Sequence, residues 1–294
     1  MNPRLAVYET ATLPLSYPGF VCILPNCYNK FMVKSIFVSP TKLTGIEDSG
    51  ANHLIIVDIG LNEKIWGRFK KLKMDLSISV NAFGPDGCPA NPEAKQKLFN
   101  KIQKALEFKP KEIWIDHFRF DGHWEAIKRD KIPEIHLDCR WCQGKNRAAV
   151  LENTAREIMS LVAGRCLTGY FAVPFKSEDL PELNAILGQK HDLIGKIFDL
   201  SSPMLYHQMI NKPPIYVSDY VEWLANRTQK PVLPIVQIKS MPDDLEDTIT
   251  EKEVTTVFKE AIKKPSLGVS FFYWTHALEK NKTGIIKKLF TSVH

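Results

Sequence analysis

The sequence lacks several features that would assign it to a large class of proteins at once. It has no run of about eighteen apolar residues, which is what a membrane-spanning helix requires. It has no G-x-G-x-x-G turn and no Walker loop, so the glycine-rich phosphate sites of dinucleotide-binding and P-loop proteins are not expected. Its N-terminal segment lacks a basic region followed by an apolar core. We therefore expect no secretory signal and a cytoplasmic chain, or a secreted one if a leader precedes these residues.

Cysteine is also scarce. The chain has six cysteines in 294 residues, too few for a disulfide scaffold of this size. Cys139-Arg-Trp-Cys142 has the spacing of half a zinc site, but the other half requires a second close pair, and Cys22 and Cys27 are separated by four residues. We expect free thiols, with structural zinc and a disulfide as alternatives. We predict no cofactor, and no metal at the working site.

Positive charge is not concentrated in one part of the sequence. The net charge of +6 would suit nucleic acid, but the lysines are spread over several predicted helices and do not alternate with aromatic residues on one element. These lysines are therefore predicted to be solvated helix faces, and no nucleic-acid partner is expected. The remaining composition, 44% hydrophobic and 24% charged, is typical of a globular domain.

The chain does show a regular alternation of two patterns. Eight short, nearly continuous apolar runs have the composition of strands that are buried on both faces of a parallel sheet. Segments with helical spacing lie between them. Eight such units predict one (β/α)8 TIM barrel over residues 35–294, a fold that typically needs roughly 250 residues. Residues 1–34 are predicted to be an extension packed on the barrel, although Leu5–Glu9 is an alternative first strand, and an open doubly wound sheet is the alternative fold. The predicted strands are Ser35–Ser39, His53–Ile59, Leu76–Phe83, Glu112–Phe118, Thr168–Phe175, Asp199–Tyr206, Val232–Ile238 and Gly268–Trp274.

The fourth predicted strand carries the most informative residue. Asp116 lies within the apolar run Trp114–Phe120, where a carboxylate is destabilising unless it is partnered or exposed in a cavity. Arg119 is close enough to be that partner, but acids of this kind are also candidates for catalysis in a cleft. In such barrels the chemistry is carried by side chains at the C-terminal ends of the strands. The other polar or aromatic residues predicted there are Ser39, Asp58, Asn81, Asp121, Lys176, Tyr206, His207, Gln237, Trp274, Thr275, His276 and Glu279.

Four motifs resemble a known group of proteins. Residues 115–125, IDHFRFDGHWE, resemble the hydrophobic-Asp-x-x-Arg-aromatic signature on the fourth strand of glycoside-hydrolase-like barrels, including several uncharacterised groups. Residues 139–142 (CRWC), 202–207 (SPMLYH) and 268–274 (GVSFFYW) are similar to further motifs of those groups. The last two are also distantly similar to strands six and eight of chitinases. The resemblance spans roughly residues 35–278.

This resemblance implies a glycoside hydrolase that cleaves an oligo- or polysaccharide by carboxylate acid/base catalysis. It makes Asp116 the sugar-facing carboxylate and Tyr206 a hydrogen-bonding partner of the substrate or an intermediate. It makes Trp274 the floor of a sugar subsite, and amides are suited to bind sugar hydroxyls. The expected substrate-binding residues are Asp58, Asn81, Arg119, His207, Gln237, Trp274 and His276.

The sequence departs from the chitinase pattern at its acids. Strand four lacks the series of acids that ends in Glu, and the fifth strand ends in Val173-Pro174-Phe175-Lys176 with no Glu. Glycoside cleavage needs a second carboxyl group. Asp121 is the nearest candidate, followed by Asp58 and then by Glu125 or Glu279. A histidine, His276 or His207, is an alternative proton donor.

Two other functions remain open from the residues alone. A barrel can keep its fold and lose its activity, so a catalytically inactive module that binds carbohydrate or protein is the main alternative. A metal-dependent hydrolase that uses Asp58, Asp116 and His276 is the weaker one. A second carboxyl group about 5 to 10 Å from Asp116 across an open cleft would favour hydrolysis.

Overall fold

The computed structural model describes residues 32–84, 87–121, 139–241 and 246–293. The predicted extension lies almost wholly outside the described residues. So do Leu5–Glu9, Cys22, Cys27 and Glu125. In the part of the chain that is described, no helix is both long and apolar enough to span a membrane.

Eight parallel strands form the sheet, each within or close to a predicted run. Their order is β6-β5-β4-β3-β2-β1-β8-β7. Isolated parallel bridges from Ser201 to Val232 and from Met204 to Ile235 connect β6 with β7, so the barrel is nearly closed. The prediction of a (β/α)8 barrel is confirmed, and the open doubly wound sheet is wrong. The strands are β1 Val33–Val38, β2 His53–Val57, β3 Asp75–Asn81, β4 Glu112–Asp116, β5 Leu167–Ala172, β6 Leu200–Pro203, β7 Ile235–Gln237 and β8 Gly268–Phe272.

Helices follow the strands, and four of the nine described α-helices begin at a side-chain cap. The side chain of Asn91 accepts a hydrogen bond from the Glu93 N–H at 3.0 Å, ahead of Pro92, and Thr250 accepts one from the Glu253 N–H at 3.2 Å. Such caps satisfy backbone donors that have no partner within the helix. The helices are α1 Glu63–Lys70, α2 Pro92–Glu107, α3 Arg147–Val162, α4 Pro181–Leu187, α5 His191–Ile197, α6 Tyr216–Thr228, α7 Glu251–Ala261, α8 Trp274–Glu279 and α9 Thr283–Thr291.

The segment Leu180–Phe198, whose spacing is typical of a single helix, forms two helices, α4 and α5. Gly188 ends α4 with φ of +71°, in the left-handed region that favours glycine. A Cβ atom at this position would lie 2.9 Å from the carbonyl oxygen of Arg147. The break therefore depends on a close approach to the start of α3, which periodicity along the chain does not reveal.

The N-terminal half of the barrel is closed by packing and by a buried polar network. The Glu112 carboxylate accepts hydrogen bonds from the Ser77 hydroxyl and the Trp114 indole N–H, each at 2.8 Å, and its Oε2 lies 3.2 Å from His53 Nε2. These donors satisfy a carboxylate that burial would otherwise destabilise. Because this end is filled, the space for a ligand lies at the C-terminal ends of the strands.

Candidate active site

Two adjoining cavities of about 200 Å³ and 680 Å³ lie at the C-terminal end of the barrel. Phe37, Asp116, Met209, Met241 and Phe272 line both cavities, so we describe the two together as the cleft. The position agrees with the general rule that active sites of this fold lie at the C-terminal face.

Asp116 ends β4 and faces the cleft with a side chain that is 29% exposed. Its Oδ1 accepts a hydrogen bond from the His117 N–H at 2.7 Å and lies 3.3 Å from His117 Nδ1. His117 has φ of +48°, and this turn places its ring beside the carboxylate that precedes it. The hydrogen bond to Asp116 raises the pKa of His117. Sequence reasoning missed His117, because nothing in the pattern indicates a left-handed residue there.

Asp58 follows β2 and lines the same cleft as Asp116. Burial raises the pKa of this carboxyl group and the negative charge of Asp116 adds to the effect, while Lys101 and the backbone N–H of Asn81 oppose it. Asp58 Oδ1 is buried and has no hydrogen-bond partner within the described residues. A carboxyl group in this setting favours its protonated form.

The positions of the two acids follow from the order of the strands. β3 lies between β2 and β4, and Asn81 at the end of β3 is in register with Asp116. Neighbouring strands are about 4.8 Å apart, so the two chain positions are separated by roughly 10 Å. Asn81 also lines the cleft, between the two acids.

Tyr206 and Arg119 line the smaller cavity together with Asp116. The Tyr206 ring packs on Phe272 with centroids 5.4 Å apart. Burial, together with the charge of Asp116, raises the pKa of Tyr206 well above its usual value, so the phenol keeps its proton and can donate a hydrogen bond. The Arg119 guanidinium donates from Nη1 to the Phe120 carbonyl oxygen at 3.4 Å.

Three predicted substrate-binding residues are engaged in the fold and do not line the cleft. His207 is buried, with Nε2 2.7 Å from Glu253 Oε1. The Gln237 amide accepts from the Met209 N–H at 3.3 Å and donates to the Lys239 carbonyl oxygen at 2.8 Å.

Trp274 does not reach the cleft either. It is only 1% exposed, and its indole N–H donates to the Thr44 carbonyl oxygen at 3.0 Å. β8 ends at Phe272 and α8 begins at Trp274, so Trp274 is a helix residue and not the last residue of the strand. The Phe and Tyr residues that line the cleft are Phe37, Phe118, Phe171, Tyr206, Phe272 and Tyr273.

His276 lines the larger cavity, where its ring packs against Tyr273 with centroids 4.7 Å apart.

The remaining candidate acids lie elsewhere. Asp121 lines neither cavity, although its charge contributes to raising the pKa of His117. Glu279 is exposed and paired with Lys42 at 3.1 Å. Among the described candidates for a second carboxyl group, Asp58 therefore shares the cleft with Asp116.

Among the described residues, the metal-ligating side chains close enough to hold one ion lie outside the cleft. Asp58, Asp116 and His276 line one cavity, but they do not form a group whose donor atoms are close enough for one ion. The group that does is Cys88, Cys139 and Cys142. Sequence reasoning found the last two and missed Cys88, which is distant from them along the chain.

No family model matches the sequence, and no curated protein matches it. Solved structures do match its fold. The glycoside hydrolase domain of PgaB (BpsB) from Bordetella bronchiseptica has a TM-score of 0.64 at 9% identity, over 88% of this chain and 99% of that one. The chain therefore shares the (β/α)8 barrel fold of this domain.

Two further structures support this description of the fold. A glycoside hydrolase family 18 N-acetylglucosaminidase from Paenibacillus barengoltzii has a TM-score of 0.57 at 12% identity, over 88% of this chain and all (100%) of that one. A class V chitinase from Pseudomonas fluorescens has a TM-score of 0.59 at 11% identity, over 89% and 99%. At such identities the similarity concerns the glycoside-hydrolase-like barrel itself and assigns no residue a role.

Proposed function

We propose that the protein hydrolyses glycosidic bonds in an oligo- or polysaccharide, with Asp116 and Asp58 as its carboxyl pair. The observation that carries the proposal is that both acids lie at the C-terminal ends of β2 and β4, the strands on either side of β3, and line one cleft. Two carboxyl groups flanking the scissile bond are the usual requirement for this chemistry. A second acid in the cleft favours hydrolysis over the alternative of a binding module without activity.

The environments of the two acids suit different roles. Burial raises the pKa of Asp58 and so favours its protonated form, which suits the general acid that protonates the leaving oxygen as the C–O bond breaks. Asp116 accepts a hydrogen bond from the His117 N–H and is partly exposed, so it acts as the base that takes a proton from the attacking water. Pairs of carboxyl groups in different environments divide acid and base work in this way.

The strand geometry also suggests the stereochemical course. Inverting enzymes hold their carboxyl groups about 6.5 to 9.5 Å apart to admit a water molecule, whereas retaining enzymes hold them at about 5 to 5.5 Å. Since Asp58 and Asp116 follow strands separated by β3, roughly 10 Å at the backbone, we infer inversion. NMR of the first-formed anomer would test this inference, and a product with retained configuration would contradict it.

The remaining cleft residues suit a sugar. The apolar rings of Phe272 and Tyr273 offer a surface for the apolar face of a pyranose, and Asn81 and His276 offer polar groups at the same wall. Tyr206 and Arg119 lie on the other side of Asp116 and can donate hydrogen bonds to substrate oxygens. This mixture of apolar walls and a few polar groups is typical of small-ligand sites.

Three matched Asp→Asn variants test the proposal. Aryl glycosides and soluble polysaccharides would be screened with the wild-type chain, and kcat would then be measured on the best substrate. Asp116→Asn and Asp58→Asn should each lower kcat by about 10² to 10⁴-fold, the usual contribution of a positioned acid or base. Asp75→Asn, at the opposite end of β3 and paired with Lys111, should leave kcat unchanged.

Three outcomes would count against the proposal. A wild-type rate in Asp116→Asn would refute Asp116 as a catalytic residue. A large loss in Asp121→Asn together with wild-type activity in Asp58→Asn would transfer the second role from Asp58 to Asp121. Sugar binding without turnover by the wild-type chain would favour the inactive binding module.

A further inference from the structure

Three cysteines from two distant parts of the chain meet beside the cleft. Cys88 lies between β3 and α2, and Cys139 and Cys142 lie just before α3. Their three sulfur atoms lie within 4.8 Å of one another, and the Cys139 and Cys142 sulfurs are 3.6 Å apart. No disulfide joins them. Cys88 thus supplies the ligand that the isolated C-x-x-C pair lacks.

The spacing fits a metal ion better than a covalent bond. Zinc–sulfur bonds are about 2.3 Å long, and two thiolates on one tetrahedral zinc are therefore about 3.8 Å apart. The observed 3.6 Å between the Cys139 and Cys142 sulfurs is close to this separation and much longer than a disulfide bond of about 2.05 Å.

Backbone N–H groups near the sulfur atoms can stabilise negative charge on thiolates. The Cys139 N–H donates to Cys142 Sγ at 3.3 Å, and the Cys142 and Gln143 N–H groups donate to the Cys139 carbonyl oxygen at 3.1 and 3.0 Å. The turn thereby holds both sulfurs on one side. The backbone of Ala90 also hydrogen-bonds the Cys88 sulfur. Metal ligation requires thiolates, so donors of this kind support it.

Burial makes a cation necessary for three thiolates to coexist. Cys88 and Cys142 are buried, and Cys139 is partly exposed, which leaves a path to solvent. Adjacent thiolates repel one another, whereas a bound divalent cation would stabilise all of them. Sulfur ligands in a tetrahedral arrangement are typical of zinc.

We propose that Cys88, Cys139 and Cys142 bind one zinc ion. The fourth position is left to water. None of the three cysteines lines the cleft, so the ion is structural. It connects the segments that follow β3 and β4, the strands that end in Asn81 and Asp116, and so it fixes the wall of the cleft.

The test uses the full chain, purified without chelator after growth with zinc. Elemental analysis should find about one zinc per chain in the wild type and in Cys166→Ser, whose cysteine lies near the opposite end of the barrel, just before β5. Cys88→Ser and Cys142→Ser should bind zinc at least about a hundredfold more weakly. Wild-type protein stripped of metal and titrated with Co²⁺ should show thiolate-to-cobalt charge-transfer absorption that zinc abolishes.

Cys88→Ser is the decisive variant, because a C-x-x-C disulfide would not involve Cys88. Zinc binding at wild-type strength in this variant would overturn the proposal. So would a wild-type chain that binds neither zinc nor cobalt after reduction, or one whose mass shows a Cys139–Cys142 disulfide in place of metal. If the serine variants do not fold, the Co²⁺ spectrum and the zinc stoichiometry of the wild type decide the question on their own.

Discussion

His191 should make the stability of the folded barrel depend on acid, although it does not line the cleft. Its ring is fully enclosed, with Nδ1 3.1 Å from the Tyr170 hydroxyl and Nε2 3.2 Å from the Tyr220 hydroxyl. Burial lowers the pKa of His191 to about 4. An unfolded histidine titrates near 6.5. The folded protein therefore excludes a proton that the unfolded chain accepts between these two values.

The difference between the folded and unfolded pKa of His191 determines how the free energy of unfolding changes with pH. The unfolded chain binds more protons than the folded one between pH 6.5 and 4, so the free energy of unfolding falls as the pH drops through that window. A displacement from 6.5 to about 4, at 1.36 kcal/mol per pH unit, corresponds to about 3 kcal/mol. Above pH 6.5 the ring is neutral in both states and makes no pH-dependent contribution.

Urea unfolding at a series of pH values would measure the effect. His191→Gln keeps a polar side chain at this position but cannot take up a proton. Between pH 7 and pH 4, the wild-type chain should lose about 3 kcal/mol more stability than the variant. Taking the difference between the two proteins removes the contribution of carboxyl groups common to both. Parallel pH dependences would refute the assignment of acid sensitivity to His191.

Three further predictions address the packing and the cleft. Gly169→Ala should destabilise the fold by about 1 to 3 kcal/mol in urea unfolding, because its Cβ would lie 2.3 Å from the Trp114 ring; unchanged stability would show that the ring can move. Glu112→Ala should cost about 3 to 5 kcal/mol, since it leaves buried donors unsatisfied, and a smaller loss in the same assay would mean that water replaces the carboxylate. The charge of Lys101 lowers the pKa of Asp58, so Lys101→Met should raise that pKa. The alkaline side of the pH profile of kcat/KM should then move to higher pH by less than about one unit. An unchanged profile would argue against Asp58 as the acid.

The architecture was predictable because its signals are local. The run that forms β4 is almost continuously apolar, and the cap at Asn91 is followed at once by Pro92. The position of Asp116 at the end of β4 follows from the same pattern. By contrast, the division between α4 and α5 at Gly188 depends on contact with another helix. The spacing of residues along the chain does not predict such a contact.

The composition of the site was less predictable, for the same reason. Asp121 was preferred as the second carboxyl group because it is near Asp116 along the chain, whereas Asp58 is near it across the barrel. Trp274 was placed in the cleft because a strand was expected to continue through it, yet α8 begins there. Cys88 joins the C-x-x-C pair only because β3 and β4 are neighbours. Side chains that converge from different strands require the topology to be known first.

The proposed mechanism requires Asp116 and Asp58 to lie on either side of a glycosidic bond in the cleft. A crystal structure of Asp116→Asn with a bound oligosaccharide would show whether they do. We expect the glycosidic oxygen within hydrogen-bond reach of the Asp58 carboxyl group, about 2.6 to 3.2 Å, with the side chain at position 116 on the opposite face of the sugar. A sugar bound outside the cleft, or bound with Asp58 remote from the glycosidic oxygen, would contradict it.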